Sequence, residues 1–143
     1  MSFVVDASVF VAAAIPTDIY HIDSQRFLKR IERDNDSMYC PTIVLCECAS
    51  AIARPTRDSA MAIGMTTLLL SNTNLTVVEI TKQRAHDAAG IAANCFLRGA
   101  DSLYVQVAQE YAASLITWDG EMLQRAPALV ATMTPKDWLA ANP

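Results

Sequence analysis

The stretch GADSLYVQVAQEYAASLITWD, residues 99–119, determines how the rest of the chain is interpreted. Its apolar residues recur at three- and four-residue spacing up to Ala112, which predicts an amphipathic helix, and residues 114–117 form a short apolar run typical of a buried strand. Such a helix runs about 18 Å at about 1.5 Å per residue, and the strand returns about 13 Å at about 3.3 Å per residue. We therefore expect Asp101 and Asp119 at the same edge of the fold.

Short apolar runs alternate with helical patterns on both sides of this stretch. The predicted strands are residues 3–5, 38–40, 75–80, 114–117 and 130–133, and the predicted helices are residues 9–15, 20–33, 42–53, 58–70, 81–97, 101–112, 121–124 and 136–141. Such alternation is typical of an α/β fold. We predict a single α/β domain, residues 1–143, with a central parallel sheet of four to five short strands flanked by helices.

Local signals set several of these boundaries. Pro55 is expected to end the helix that begins near Thr42, and Gly99 to end the helix that Thr81 caps. The helix over residues 20–33 is expected to bury Ile22, Phe27, Leu28 and Ile31.

Composition bounds the class of protein. The 143 residues suit one domain, and 52% of them are hydrophobic, which supplies a substantial core. The chain has no uninterrupted run of 18 or more apolar residues, so we expect no transmembrane helix. Its N-terminus lacks the basic region of a secretory signal. The four cysteines form no C-x-x-C pair and are interpreted as small buried side chains in a reducing cytoplasm. A net charge of −4 argues against binding nucleic acid by bulk charge.

Four acidic residues are expected to meet at one sheet edge. Ligands bind outside the carboxyl ends of the strands in open α/β sheets, where Asp6 ends the first strand and Asp119 follows the fourth. Asp101 begins a helix that packs on the sheet. Glu47 lies less than two turns into the helix after the second strand, and its side chain leans back toward that edge.

Each acid also has a purely structural interpretation. Asp6 can cap the helix after the first strand, and Asp101 can be an N-cap or a first-turn acid that the helix dipole favours. Asp119 can serve a turn because Asp-Gly is a turn signal. Glu47 is the hardest to explain in this way, since it stands in the otherwise apolar or small segment TIVLCECASAIA with no Lys or Arg within four residues. A buried glutamate without a partner is costly; a surface-facing Glu47 is the alternative.

Four crowded carboxylates favour a divalent metal, because the cation removes their mutual repulsion. Mg²⁺ takes oxygen ligands, and a bound metal can activate water and stabilise charge on a phosphodiester. Ser8 and Thr117, each two residues from an acid, can support such a site by hydrogen bonding, or can satisfy local backbone groups.

Two further features bear on nucleic-acid binding. A basic stripe recurs at helical spacing, and its residues either contact phosphates or a partner, or form a solvated helix face; it consists of Arg26, Lys29, Arg30 and Arg33, with Arg54 and Arg57 nearby. Trp118 either stacks on a base or packs in the core.

The segments VVDASV, the helix carrying Glu47, GADSLYVQVA and LITWDGEML together resemble the PIN domain, and most of all the VapC-type toxin ribonucleases of toxin–antitoxin pairs. The resemblance implies Mg²⁺- or Mn²⁺-dependent endonucleolytic cleavage of RNA. It implies a homodimer and a cognate antitoxin whose tail occupies the active-site groove. It also implies a catalytic metal site of Asp6, Glu47, Asp101 and Asp119 with Ser8 and Thr117 in support, and Glu121 stands where some relatives carry a further acid.

Two other functions compete with a nuclease. One is a catalytically weak PIN-like module that binds RNA or protein, which the complete set of acids disfavours. The other is a phosphoacceptor domain, which would place more than one acid around Asp6 or a lysine after Ile116; the segment Asp6-Ala7-Ser8 has a single acid and the lysine is lacking. The sequence therefore favours a metal-dependent ribonuclease.

Overall fold

The computed structural model describes all 143 residues. Strands and helices alternate from one end of the chain to the other, with a short 3₁₀ turn at Ala126–Ala128. The elements are β1 (Ser2–Val5), α1 (Ala7–Ala14), α2 (His21–Asp34), β2 (Ser37–Pro41), α3 (Ile43–Thr56), α4 (Ser59–Ser71), β3 (Leu75–Val78), α5 (Lys82–Cys95), α6 (Gly99–Glu110), β4 (Ser114–Ile116), α7 (Gly120–Arg125), β5 (Thr132–Met133) and α8 (Pro135–Ala141).

The five strands form one parallel sheet in the order β3-β2-β1-β4-β5. The chain moves outward from β1 to β3 and then returns to the other side of β1 through β4 and β5. This reversal places the carboxyl ends of β1 and β4 side by side, with Val5 opposite Ile116. Strand order reverses at this point, which is where ligands bind in open α/β sheets.

The core lies on both faces of the sheet because helices cover both. Phe3, Val4 and Val5 of the central strand are all buried, which explains why β1 reads as a continuous apolar run. On one side, Phe3, Phe27 of α2 and Trp138 of α8 form an edge-to-face triangle with ring centroids 5.3–5.6 Å apart. This triangle fixes the last helix to the sheet.

The predicted fold class is confirmed: the chain is a single α/β domain with a parallel sheet of five strands. The prediction that Gly99 ends the helix before it is wrong. That helix, α5, ends at Cys95, where Phe96 adopts the left-handed conformation at φ 56°, and Gly99 instead begins α6.

Two smaller expectations also fail. The helix α3 continues through Pro55 to Thr56, and Arg57 at φ 56° ends it. Pro55 removes one backbone hydrogen bond, and the helix ends one residue after it rather than before it. Ile22 is 58% exposed, although Phe27 and Ile31 are buried as predicted. The buried stripe of α2 runs through Ser24, Phe27 and Ile31, and Ile22 lies two residues, or about 200° of helix, away from it.

Two further facts concern the helices and the cysteines. None of the helices combines the length and the apolar character that crossing a bilayer requires. All four cysteines are free; Cys40 and Cys48 are buried, Cys95 is half-buried and Cys46 is exposed.

Candidate active site

A cleft of about 520 Å³ opens at the carboxyl ends of β1 and β4. All four predicted acids line it, together with Ser8. They come from the end of β1, from α3, from the first turn of α6 and from the loop after β4. The structure therefore brings together side chains that are up to 113 residues apart in the chain, from Asp6 to Asp119.

Asp6 occupies the N-cap position of α1, but its side chain makes no capping hydrogen bond. Its Oδ2 instead accepts hydrogen bonds from Ser8 Oγ at 2.6 Å and from Thr117 Oγ1 at 2.9 Å. The capping interpretation of Asp6 is therefore wrong. The carboxylate is held in the cleft by two hydroxyl groups.

Ser8 and Thr117 also connect Asp6 to the backbone beside Asp119. Ser8 Oγ accepts a hydrogen bond from the Trp118 backbone N–H at 3.1 Å, and Thr117 Oγ1 accepts one from the Asp119 backbone N–H at 3.0 Å. Thr117 is fully buried beneath the cleft. The two hydroxyls thus satisfy backbone groups and orient Asp6 at once, so the two interpretations of these residues are compatible.

Arg98 bridges the other two aspartates. Its Nε donates to Asp101 Oδ2 at 2.9 Å and its terminal nitrogen donates to Asp119 Oδ2 at 2.6 Å. Asp119 Oδ1 also accepts a hydrogen bond from the Met122 backbone N–H, so its structural role is to cap α7 rather than to form the predicted turn. Asp101 lies in the first turn of α6, which was one of its two structural interpretations, and Arg98 takes the N-cap position.

Glu47 faces the cleft from α3 and is half-buried. Its Oε1 accepts a hydrogen bond of 2.7 Å from the hydroxyl of Tyr104, a fully buried residue of α6. The surface-facing alternative is therefore wrong. The partner that the sequence did not reveal is a phenol 57 residues away, not a cation.

Burial raises the pKa of three of these acids, Asp6, Glu47 and Asp101. Repulsion adds to burial: Asp119 raises the pKa of Asp6, and Asp6 and Asp101 raise the pKa of Glu47. The hydrogen bonds from Ser8, Thr117, Tyr104 and Arg98 act in the opposite direction. The cleft therefore holds more negative charge than its own residues compensate.

The donor chemistry fits a hard divalent cation, since all four groups supply carboxylate oxygens. As the side chains lie, no group of three or more His, Cys, Asp or Glu residues is placed to hold a metal ion. Arg98 is the cation between Asp101 and Asp119, and its side chain is 62% exposed. The donor atoms therefore suit a divalent ion by their chemistry, while Arg98 supplies the positive charge between two of them.

Four residues of the site were not identified from the sequence. Asp18, Tyr20 and Arg98 line the cleft, and the buried Tyr104 holds Glu47. Arg98 carried a signal, because a cation at a helix N-terminus is unfavourable toward the helix dipole and indicates another partner. Tyr104 lies three residues after Asp101 and so shares its helix face. Tyr20 carried no pattern that pointed to the cleft.

Trp118 is half-buried: it packs against the hydrophobic core, as one interpretation predicted, and its ring also stacks on Tyr20. The basic stripe lies away from the cleft, and none of its residues lines it. Arg30 pairs with Asp34 and donates to the Asn142 carbonyl, which ties α2 to the chain end. Glu121 pairs with Arg125 and does not line the cleft.

A family model described as the PIN domain matches residues 3–129 of this chain. The chain belongs to the PIN domain family. Among curated proteins, none matches it. Two strands and two helices that carry the acids of this PIN domain lie within the matched range.

Several solved structures share the fold of this PIN domain. It is similar to VapBC2 from Rickettsia felis bound to a promoter DNA fragment, with 13% identity and a TM-score of 0.70, covering 94% of this chain and 98% of that one. It is similar to VapC20 of Mycobacterium tuberculosis, described as a toxin that cleaves the sarcin–ricin loop, with 17% identity and a TM-score of 0.72, covering 85% and 93%. A protein from Pyrobaculum aerophilum has 20% identity and a TM-score of 0.71, covering 99% and 94%.

Proposed function

We propose that this PIN domain is a metal-dependent endoribonuclease that hydrolyses RNA phosphodiester bonds and acts as the toxin of a toxin–antitoxin pair. The observation that carries the proposal is the meeting of Asp6, Glu47, Asp101 and Asp119 in one cleft. A chain of this family with its acids together and compensated by only one arginine is suited to hold a cation next to a phosphate.

In this proposal the four acids hold Mg²⁺ or Mn²⁺. The bound metal would supply an activated water and neutralise charge that develops on the phosphodiester. Ser8 and Thr117 hold the Asp6 carboxylate in place, and Tyr104 fixes Glu47. Such supporting hydrogen bonds orient ligating carboxylates. Arg98, the one basic residue that lines the cleft, can pair with a phosphate oxygen.

The partners we propose are an RNA substrate, a cognate antitoxin and a second copy of the chain, all in the cytoplasm. The fold that the chain shares with a toxin–antitoxin complex from Klebsiella pneumoniae, at 14% identity and a TM-score of 0.56, supports an antitoxin. The helix α4 supports a protein contact, because Ile63, Leu68 and Leu70 are each more than 60% exposed. An apolar patch of this kind marks an interaction surface.

RNA cleavage by the purified chain tests the nuclease. We expect cleavage with Mg²⁺ or Mn²⁺, none with EDTA, and a loss of at least about a hundredfold in Asp6→Asn, because the electrostatic stabilisation of the transition state is lost. Glu32→Gln, an exposed acid of α2 outside the cleft, is the matched control and should cleave normally. Metal-independent cleavage or an undiminished Asp6→Asn would refute the nuclease, and tight RNA binding without turnover would favour the binding module.

Co-expression tests the toxin assignment. We expect expression of the chain to arrest bacterial growth, and a short neighbouring reading frame with a DNA-binding N-terminus to restore it. Asp6→Asn should not arrest growth. Arrest by Asp6→Asn equal to that of the unaltered chain would contradict a toxin that acts through this cleft.

A further inference from the structure

An aromatic pair borders the acidic cleft. The rings of Tyr20 and Trp118 are parallel within 8°, with centroids 4.0 Å apart. Both residues line the cleft, and Trp118 directly precedes Asp119. Tyr20 remains 38% exposed although one face of its ring is covered by the indole. A flat aromatic surface is thus open next to the carboxylates.

The pair is held in place by hydrogen bonds. The Trp118 indole N–H donates to the hydroxyl of the buried Ser24 at 2.8 Å, and the Trp118 backbone N–H donates to Ser8 Oγ. The Tyr20 backbone N–H donates to Asp18 Oδ1 at 2.8 Å, which fixes the loop between α1 and α2. Because Ser8 also holds Asp6, the aromatic pair and the acids share one rigid support.

The acidic residues that line the cleft do not attract RNA, which is a polyanion. Five acids and one arginine line it, and the chain carries a net charge of −4. A bound cation and Arg98 would attract the phosphate, but an interaction that does not depend on positive charge would add affinity for the rest of the nucleotide. Stacking of a base on an aromatic side chain is such an interaction, because every nucleobase has a flat π-face.

We propose that Tyr20 and Trp118 form a nucleobase subsite, on which an unpaired base beside the cleaved phosphate continues the stack. The inference rests on the proposed function and names the two residues on which a base would stack. A base inside a duplex is already covered on both faces and cannot reach the Tyr20 ring.

Binding of a short single-stranded RNA of mixed sequence tests the subsite. The Asp6→Asn background prevents cleavage, and Tyr20→Leu is added to remove the ring while keeping an apolar cover over Trp118. Quenching of Trp118 reports binding, since the only other tryptophan, Trp138, is buried. Tyr111→Leu is the matched control, because Tyr111 stacks on Tyr39 at 4.2 Å away from the cleft.

We expect Tyr20→Leu to weaken binding about tenfold, within the range measured for base–aromatic stacking, and Tyr111→Leu to leave it unchanged. The parent should bind an RNA with abasic sites more weakly than the intact RNA. Tyr20→Leu should not reduce the affinity for this abasic RNA any further. Duplex RNA and a free mononucleotide should bind much more weakly than the single strand.

Three results would overturn the subsite. Tyr20→Leu could bind RNA within about twofold of its parent, it could lose as much affinity for abasic RNA as for intact RNA, or a mononucleotide could bind as tightly as the RNA. Equal losses in Tyr111→Leu would also overturn it, as a general effect on the fold. If the unaltered chain cleaves no RNA while Tyr20→Leu still weakens binding, the nuclease proposal fails and the nucleobase subsite remains.

Discussion

The Asp6 carboxylate is 6% exposed and accepts side-chain hydrogen bonds only from the hydroxyls of Ser8 and Thr117. No basic side chain pairs with it, and Asp119 adds repulsion. A residue whose charge is so poorly compensated weakens the fold in the absence of a bound cation. Active sites commonly hold such groups at the expense of stability.

The pH dependence of the metal-free protein follows from these raised pKa values. Since burial raises the pKa of Asp6, Glu47 and Asp101 in the fold, the folded protein binds more protons than the unfolded chain above the ordinary carboxyl range near pH 4. We expect the free energy of unfolding in EDTA to fall as the pH rises from about 4 through the raised pKa values.

Asp6→Asn should flatten this slope and stabilise the metal-free protein at pH 7 by about 1 kcal/mol, because a neutral amide replaces the buried charge. Thermal unfolding in EDTA across the pH range measures both effects, with Glu32→Gln as control. Asp34 and Glu110 have pKa values lowered to about 2, so their contributions change with pH mainly below the ordinary carboxyl range near pH 4, where stability rises with pH. A less stable Asp6→Asn at pH 7 would contradict this explanation.

At the scale of elements, α3 and α6 are linked by the hydrogen bond that holds Glu47. Tyr104 of α6 reaches Glu47 of α3 through its hydroxyl, and no other polar side-chain contact links these two helices. The relative position of Glu47 and Asp101 therefore depends on one hydrogen bond and on apolar packing.

Tyr104→Phe removes that hydrogen bond and little else. We expect the free energy of unfolding to fall by only about 1 kcal/mol, because Glu47 is half-buried and water can replace the lost hydrogen bond. We also expect metal affinity and RNA cleavage to fall about tenfold, because the supporting partner of a ligand is lost. Tyr111→Phe on the same side of the fold is the control, and equal activity in both variants would contradict a role for Tyr104 in positioning Glu47.

The elements follow largely from local patterns, whereas the site follows only in part. The apolar run of β1 and the periodicity of α6 depend on neighbours in sequence, so the sequence predicts them. The sequence also predicts that four acids meet, from the direction of parallel strands and of helices alone; these are Asp6, Glu47, Asp101 and Asp119. The contacts of Arg98 with Asp119 and of Tyr104 with Glu47 span 21 and 57 residues. They depend on how α6 packs, which no local pattern encodes.

At the scale of the whole molecule, the sheet reversal between β1 and β4 creates the cleft, and the triangle of Phe3, Phe27 and Trp138 holds β1 from below. The family match ends at residue 129, but β5 and α8 continue the same sheet and core. We propose that residues 1–143 fold as one unit.

Trp138→Ala tests this unity. Trp138 is 3% exposed, and we expect its loss to lower the free energy of unfolding by about 3–5 kcal/mol. Denaturant unfolding should remain a single transition. Lys136→Ala on the exposed side of α8 is the control. A loss below about 1 kcal/mol, or separate transitions, would contradict one cooperative domain.

Titration of the metal-free protein with Mn²⁺ tests most directly whether the four acids form one metal site. The expected result is that the unaltered protein binds Mn²⁺ and that Asp6→Asn, Glu47→Gln, Asp101→Asn and Asp119→Asn each weaken binding at least about tenfold, while Glu32→Gln does not. An unaltered protein that binds no Mn²⁺, or acid variants that bind it as tightly as the unaltered protein does, would contradict a shared site.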